Sequence, residues 1–230
     1  MSFGIVILLT LTLLPPFSAA TTTPIVSLRA PYHGGVVYFA HRQPVASCAT
    51  SSIVHAGVFS RTTGKVRWEA KATDSCGPGR SDLFVWGGVY DLNFTVPANG
   101  TYGGGTDWRV LGGLEYNLSR NASSSPNSTA AVSILSISCF EDLTLGTSCK
   151  GASSPSGGTV VTANGTGVRN FSWHMYQHPG GIFVAGHLYC FKILIRAVLS
   201  AFASGGGYAS ATLDLWSGAY GARLIFAKLY

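Results

Sequence analysis

The sequence predicts an all-β chain, an antiparallel β-sandwich with long Gly/Ser-rich loops, and two observations carry that prediction. Apolar and polar residues alternate with a period of two in segment after segment, whereas no helical periodicity recurs. Twenty-nine glycines punctuate the segments. Charged residues make up only 10% of the chain, well below the usual figure of about 25%. Many short alternating strands separated by turn signals suit a sandwich or barrel better than a βαβ fold.

The elements follow in chain order. Met1 to Leu14 is apolar and is followed by Pro15-Pro16. The run is shorter than the roughly 20 residues of a membrane span but fits the apolar region of a signal peptide. Ser18-Ala19-Ala20 places cleavage after residue 20, although no Lys or Arg precedes the apolar run. Residues 21–230 are then expected to form one domain, with 21–31 as an extended tail. No later run is apolar enough to span a bilayer, so no integral membrane segment is expected after cleavage.

Lys65 to Ala72 alternates cleanly, with Trp68 on the apolar side. Tyr90 to Val96, Leu114 to Ser119 and Val168 to Met175 alternate in the same way. Val132 to Cys139 is rich in Ile, Val and Ser. Tyr189, Phe191, Ile193, Ile195, Ala197 and Leu199 form one face of a long strand whose other face carries Lys192, Arg196 and Ser200. Ala209 to Leu215 and Ala222 to Leu229 close the chain. Turns are expected at Gly103-Gly104-Gly105, Gly157-Gly158, Gly180-Gly181 and Gly205-Gly206-Gly207. Asn121 to Thr129 and Gly151 to Gly158 read as surface loops. The segment from Gly186 to Leu215 resembles the last strands of secreted jelly-roll-type sandwiches. That likeness implies a jelly-roll-like fold and nothing about function.

All seven asparagines, Asn93, Asn99, Asn117, Asn121, Asn127, Asn164 and Asn170, open an N-x-Ser/Thr triplet without proline. Chance would give this on the order of once in 10⁵ sequences of such Ser/Thr content. Within the expected strands the sequon asparagines fall on the polar side, where a glycan must lie. Export and N-glycosylation are therefore expected together.

Five cysteines in an exported chain predict disulfides. Two bridges and one leftover thiol allow fifteen arrangements; Cys139–Cys149 and Cys48–Cys76 are the expected pairs, with Cys190 alone. The net charge of +6 comes from basic residues scattered singly. No nucleic-acid partner is expected; a weak attraction to anionic polysaccharide or lipid is the milder inference.

Motifs for catalysis are weak. His174 and His178 share i, i+4 spacing, but Met175 stands where a zinc protease has its glutamate, and the segment reads as strand and turn. His33-Gly34-Gly35 has no accompanying G-x-S-x-G elbow and reads as a turn. Glu141-Asp142, an adjacent acidic pair, reads as a solvated turn between strands. No catalytic residue, metal site or cofactor is assigned. Trp86, Trp108 and Trp216, near Gly-rich loops, are the candidate binding aromatics, since an exposed indole can stack on a sugar ring. The expected function is a secreted or cell-surface glycoprotein with a non-catalytic binding or structural role. Its partner would be carbohydrate or another cell-surface protein. Two alternatives are a self-assembling extracellular filament subunit that uses its N-terminal strand, and a secreted hydrolase.

Overall fold

A computed structural model describes residues 24–29, 36–41, 48–75, 79–120, 127–147 and 150–230. The described residues contain strands and turns but no helix, and so no helix long and apolar enough to cross a membrane. The strands are β1 (Val26–Leu28), β2 (Val36–His41), β3 (Ala49–Ser60), β4 (Lys65–Asp74), β5 (Gly79–Phe94) and β6 (Gly100–Ser119). They continue with β7 (Thr129–Asp142), β8 (Lys150–Val161), β9 (Gly165–Gln177), β10 (Gly180–Phe183), β11 (Tyr189–Ala203), β12 (Tyr208–Asp214) and β13 (Gly221–Leu229). Every pairing among them is antiparallel.

They form two sheets. The smaller has the order β2-β5-β11-β7-β8. In the larger, β3 pairs with β4, and β12 and β13 follow each other between β4 and β6. The far edge of β6 is lined by β9 and then β10. Two double hairpins are recognisable. In β2–β5 the inner pair β3/β4 lies in the larger sheet and the outer pair β2/β5 in the smaller. In β6–β9 the assignment is reversed, with β7/β8 in the smaller sheet and β6/β9 in the larger. The last long strands close both sheets: β11 lies between β5 and β7, and β12/β13 between β4 and β6.

The alternation seen in the sequence becomes burial. Val66, Trp68, Ala70 and Ala72 of β4 point inward, as do Ile193, Ile195, Ala197, Leu199 and Ala201 of β11. On the inner face of the larger sheet the small Ala70, Ala72, Ala209 and Ala211 lie among the large Trp68 and Trp108. An aromatic cluster of Phe94, Phe140, Phe183, Tyr189 and Phe191 fills one end. Between the sheets, the buried Gln177 of β9 accepts hydrogen bonds from Ser136 Oγ (2.9 Å) and Ser138 Oγ (3.0 Å) of β7. Its amide donates to the Ser136 carbonyl (2.8 Å). This satisfies polar groups that would otherwise be costly in a dry interior.

Several expectations are corrected. Gly151 to Gly158 is not a loop but most of β8, paired with Cys139 to Ser133 of β7. Its small residues serve packing: a Cβ on Gly157 would sit 2.4 Å from the Trp173 ring, which reaches over from β9 in the other sheet. Likewise Gly103-Gly104-Gly105 lies inside β6 and Gly180-Gly181 inside β10, not in turns. Glu141-Asp142 is not a solvated turn. Both residues end β7, Asp142 is buried, and Glu141 pairs with Lys192 of β11. The N-terminal tail is not free along its whole length, because Val26, Ser27 and Leu28 pair with Leu229, Lys228 and Ala227.

Candidate functional site: a basic rung on the outer face of the larger sheet

Strand register assembles what sequence spacing hides. Lys65 of β4 stands opposite Arg223 of β13. Arg223 stands opposite Arg109 of β6, and Arg109 opposite His174 of β9. Four basic side chains thus occupy one rung across four strands. Each is flanked by buried or half-buried neighbours: Val66 beside Lys65, Ala222 and Leu224 beside Arg223, Trp108 and Val110 beside Arg109, Trp173 and Met175 beside His174. Side chains alternate along a strand, so the rung faces outward. Arg109, Arg223 and His174 are exposed, and Lys65 is half-buried.

Like charges directly opposed across strands each cost on the order of 0.2–1 kcal/mol. Among the described residues no carboxylate pairs with Lys65, Arg109 or Arg223. Two of the cations are anchored on backbone carbonyls instead. Lys65 Nζ donates to the Ala219 carbonyl (2.9 Å), and Arg223 Nε to the Thr63 carbonyl (3.1 Å). Burial, and then the neighbouring Arg67 and Arg223, hold the Lys65 amine below its ordinary pKa. His174 is the exception, with its Nε2 2.5 Å from the buried Asp107 carboxylate.

The chain builds this rung with a loop between β12 and β13. Asp214 Oδ1 accepts from the Trp216 and Ser217 amides (2.7 and 2.9 Å) and starts the turn. Arg67 donates to the Trp216 carbonyl and, at 3.4 Å, to that of Gly218. Gly221 then re-enters the sheet with φ +144°, and its missing Cβ leaves room for the Lys65 stem. A cavity of about 390 Å³ opens beside the rung, lined by Lys65, Arg109, Arg223, Ser172, Ala219 and Gly221. On the next outward rung, Tyr176, Asp107 and Phe226 are aligned in register. Tyr176 is 49% exposed, with His178 and Phe226 edge-on to its ring and its hydroxyl end lying by Gly105.

The three tryptophans chosen from sequence fare differently. Trp108 is fully buried in β6 and cannot stack on a ligand; its place on the inward side of the strand reflects the outward position of Arg109. Trp216 is half-buried and already engaged, with His55 stacked on it at 5.1 Å and the Arg67 guanidinium 5.2 Å from its centroid. It clamps the loop that carries Ala219. Trp86 lies in β5, and its side chain falls outside the described residues. The rung itself escaped the sequence reading, which saw only isolated basic residues. The available signal was parity, since all four occupy polar-side positions in alternating segments, but nothing short of register joins them.

The remaining candidates are dispersed. His178 follows β9 and His33-Gly34-Gly35 lies outside the described residues. No group of three or more His, Cys, Asp or Glu side chains suited to a metal ion occurs among the described residues. Cys48 and Cys139 are disulfide-bonded, while Cys190 is a buried free thiol. Cys76 and Cys149 lie outside the described residues. At the end of β7, Asp142 Oδ1 accepts from the Thr144 and Leu145 amides, both at 3.0 Å, and its Oδ2 from His187 Nδ1 at 2.8 Å. Burial pushes this carboxyl up, but the bonds from His187, Leu145 and Thr144 outweigh it and hold the group below its ordinary pKa. This is a turn-fixing arrangement. No family model and no curated protein matches the chain.

Proposed function

We propose that the chain is an exported, N-glycosylated, jelly-roll-like sandwich with a non-catalytic binding or structural role at the cell surface. The observation that carries this is the position of the sequons. Asn93, Asn99, Asn117, Asn127, Asn164 and Asn170, every described one, are exposed; Asn121 lies outside the described residues. Where their side chains are engaged, the carbonyl oxygen is used. Asn99 Oδ1 accepts from the Ala185 amide (2.7 Å), Asn170 Oδ1 from Tyr220 (2.8 Å), and Asn127 Oδ1 from Arg120. The amide nitrogen that would carry a glycan stays available. The disulfides complete this picture. Ser75 Oγ donates to the Cys48 carbonyl at 3.1 Å, which brings the chain next to Cys76 beside Cys48. Cys139 stands opposite Gly151, two residues from Cys149. Both proximities support Cys48–Cys76 and Cys139–Cys149.

Peptide mass mapping of the natively produced protein tests the reading. The expected result is an N-terminus at Thr21, glycan on most of the six exposed asparagines, and an unmodified thiol only at Cys190. A native protein of bare polypeptide mass that retains Met1 would refute it.

One observation favours a second reading, a self-assembling filament subunit. The strand β1 is only three residues long and, among the described strands, borders β13 alone. So short a pairing is readily exchanged for the same strand of a neighbouring copy. Electron microscopy at high concentration tests it: filaments are expected, and only discrete particles would dismiss it.

A further inference from the structure

The rung Lys65–Arg223–Arg109 is an investment in repulsion. The sheet sets three cations side by side in a chain that is otherwise sparing with charge, and no described carboxylate pairs with them. Adjacent strands are about 4.8 Å apart, so the rung from Lys65 to His174 is a straight line about 14 Å long. Such a line suits several anionic groups strung along one extended chain better than a single compact ion. Arg223 and Lys65 are held by carbonyl oxygens of Thr63 and Ala219 rather than left to wander. Held cations lose less freedom when a ligand arrives. The exposed Tyr176 of the neighbouring rung supplies an aromatic side chain at the edge of the line, and a pyranose ring has apolar C–H faces that pack on such surfaces.

We propose that this rung binds the sulfate or carboxylate groups of an anionic polysaccharide, with a sugar ring lying against Tyr176. The proposal gives a partner to the extracellular binding role argued above and rests on that reading. A phospholipid surface fits less well, because among the described residues Leu111 and Tyr176 alone are exposed large apolar side chains beside the rung, far short of the apolar face that enters a bilayer. Nucleic acid would also meet cations, but the site faces the outside of an exported chain.

The test is titration of the full glycosylated protein with dextran sulfate and with polygalacturonate at about physiological salt, against neutral dextran, anionic phosphatidylglycerol vesicles and a single-stranded oligonucleotide. Binding to dextran sulfate or polygalacturonate, and not to neutral dextran, is expected; which of the two binds identifies sulfate or carboxylate as the ligand group. The triple variant Lys65→Ala/Arg109→Ala/Arg223→Ala should weaken that binding by about tenfold or more. A control that removes three exposed cations from elsewhere, Lys71→Ala/Arg120→Ala/Arg169→Ala, should leave it within about twofold. Tyr176→Ala should weaken polysaccharide binding without changing its salt dependence. Equal losses in the two triple variants would reduce the effect to net charge and overturn the proposal. So would tighter binding to vesicles or oligonucleotide than to either polysaccharide, or no binding to either polymer. Because the triple variant removes repulsion, its melting temperature should hold or rise; if it fails to fold, Arg109→Gln alone carries the comparison. Glycopeptide mapping of the same preparation is separate: bare asparagines would defeat the extracellular reading while the binding result stood.

Discussion

At the scale of single residues, two side chains show how polar groups are built into an apolar sandwich. Gln177 satisfies two serine hydroxyls and a carbonyl of the opposite sheet at once. Gln177→Ala removes the acceptor of both hydroxyls and a donor to the carbonyl, and a loss of about 2–4 kcal/mol in chemical denaturation is expected. Asp142 makes the complementary case for pH. Its folded pKa is depressed, so its contribution is fully present above the carboxyl's ordinary pKa and is lost as pH falls through the lower, folded value. Asp142→Asn should therefore destabilise at neutral pH, and the gap between variant and wild type should close on acidification, as followed by melting temperature against pH. Neither role was legible in the sequence. Parity correctly placed Trp68 inside, but the adjacent acidic pair read as a solvated turn, and only the return of the chain at His187 and Lys192 shows that those carboxylates are covered.

At the scale of elements, the strands read from alternation were real, whereas glycine was misleading. Lys65 to Ala72, Val132 to Cys139 and Tyr189 to Leu199 all fall within strands. The glycine and serine runs, read as turns, include strand segments whose missing side chains make room for rings. In β8 the bare Gly157 leaves the space that the Trp173 ring of the other sheet fills. Gly157→Val should cost about 1–3 kcal/mol by overpacking. In a Trp173→Ala background most of that penalty should vanish, since the obstructing ring is gone; a double-mutant cycle by denaturation measures the coupling. Composition alone cannot separate a glycine that permits a turn from one that permits a close approach. That distinction depends on which large residue arrives from another part of the chain.

At the scale of the whole molecule, the sequence conveyed the class of fold but not the order of strands. The order is what brings Lys65, Arg109, Arg223 and His174 together, and it also places β11 and β12/β13 in the middle of their sheets. Removing them would leave β3/β4 apart from β6 with its partners β9 and β10 in one layer, and β2/β5 apart from β7/β8 in the other, with an open seam in each. A chain ending at Gly186 should therefore show no cooperative thermal transition by circular dichroism. A cooperative melt would mean that the rolled double hairpins fold without the closing strands.

That central position also sets an order in time. All seven sequons lie between Asn93 and Asn170, ahead of β11. Synthesis runs from the N-terminus, so every sequon is made before the strands that seal either layer exist. Under the proposal that the chain is exported and N-glycosylated, a glycosylating enzyme would meet each asparagine on an unclosed polypeptide. The fold would then complete itself only after its sugars were attached.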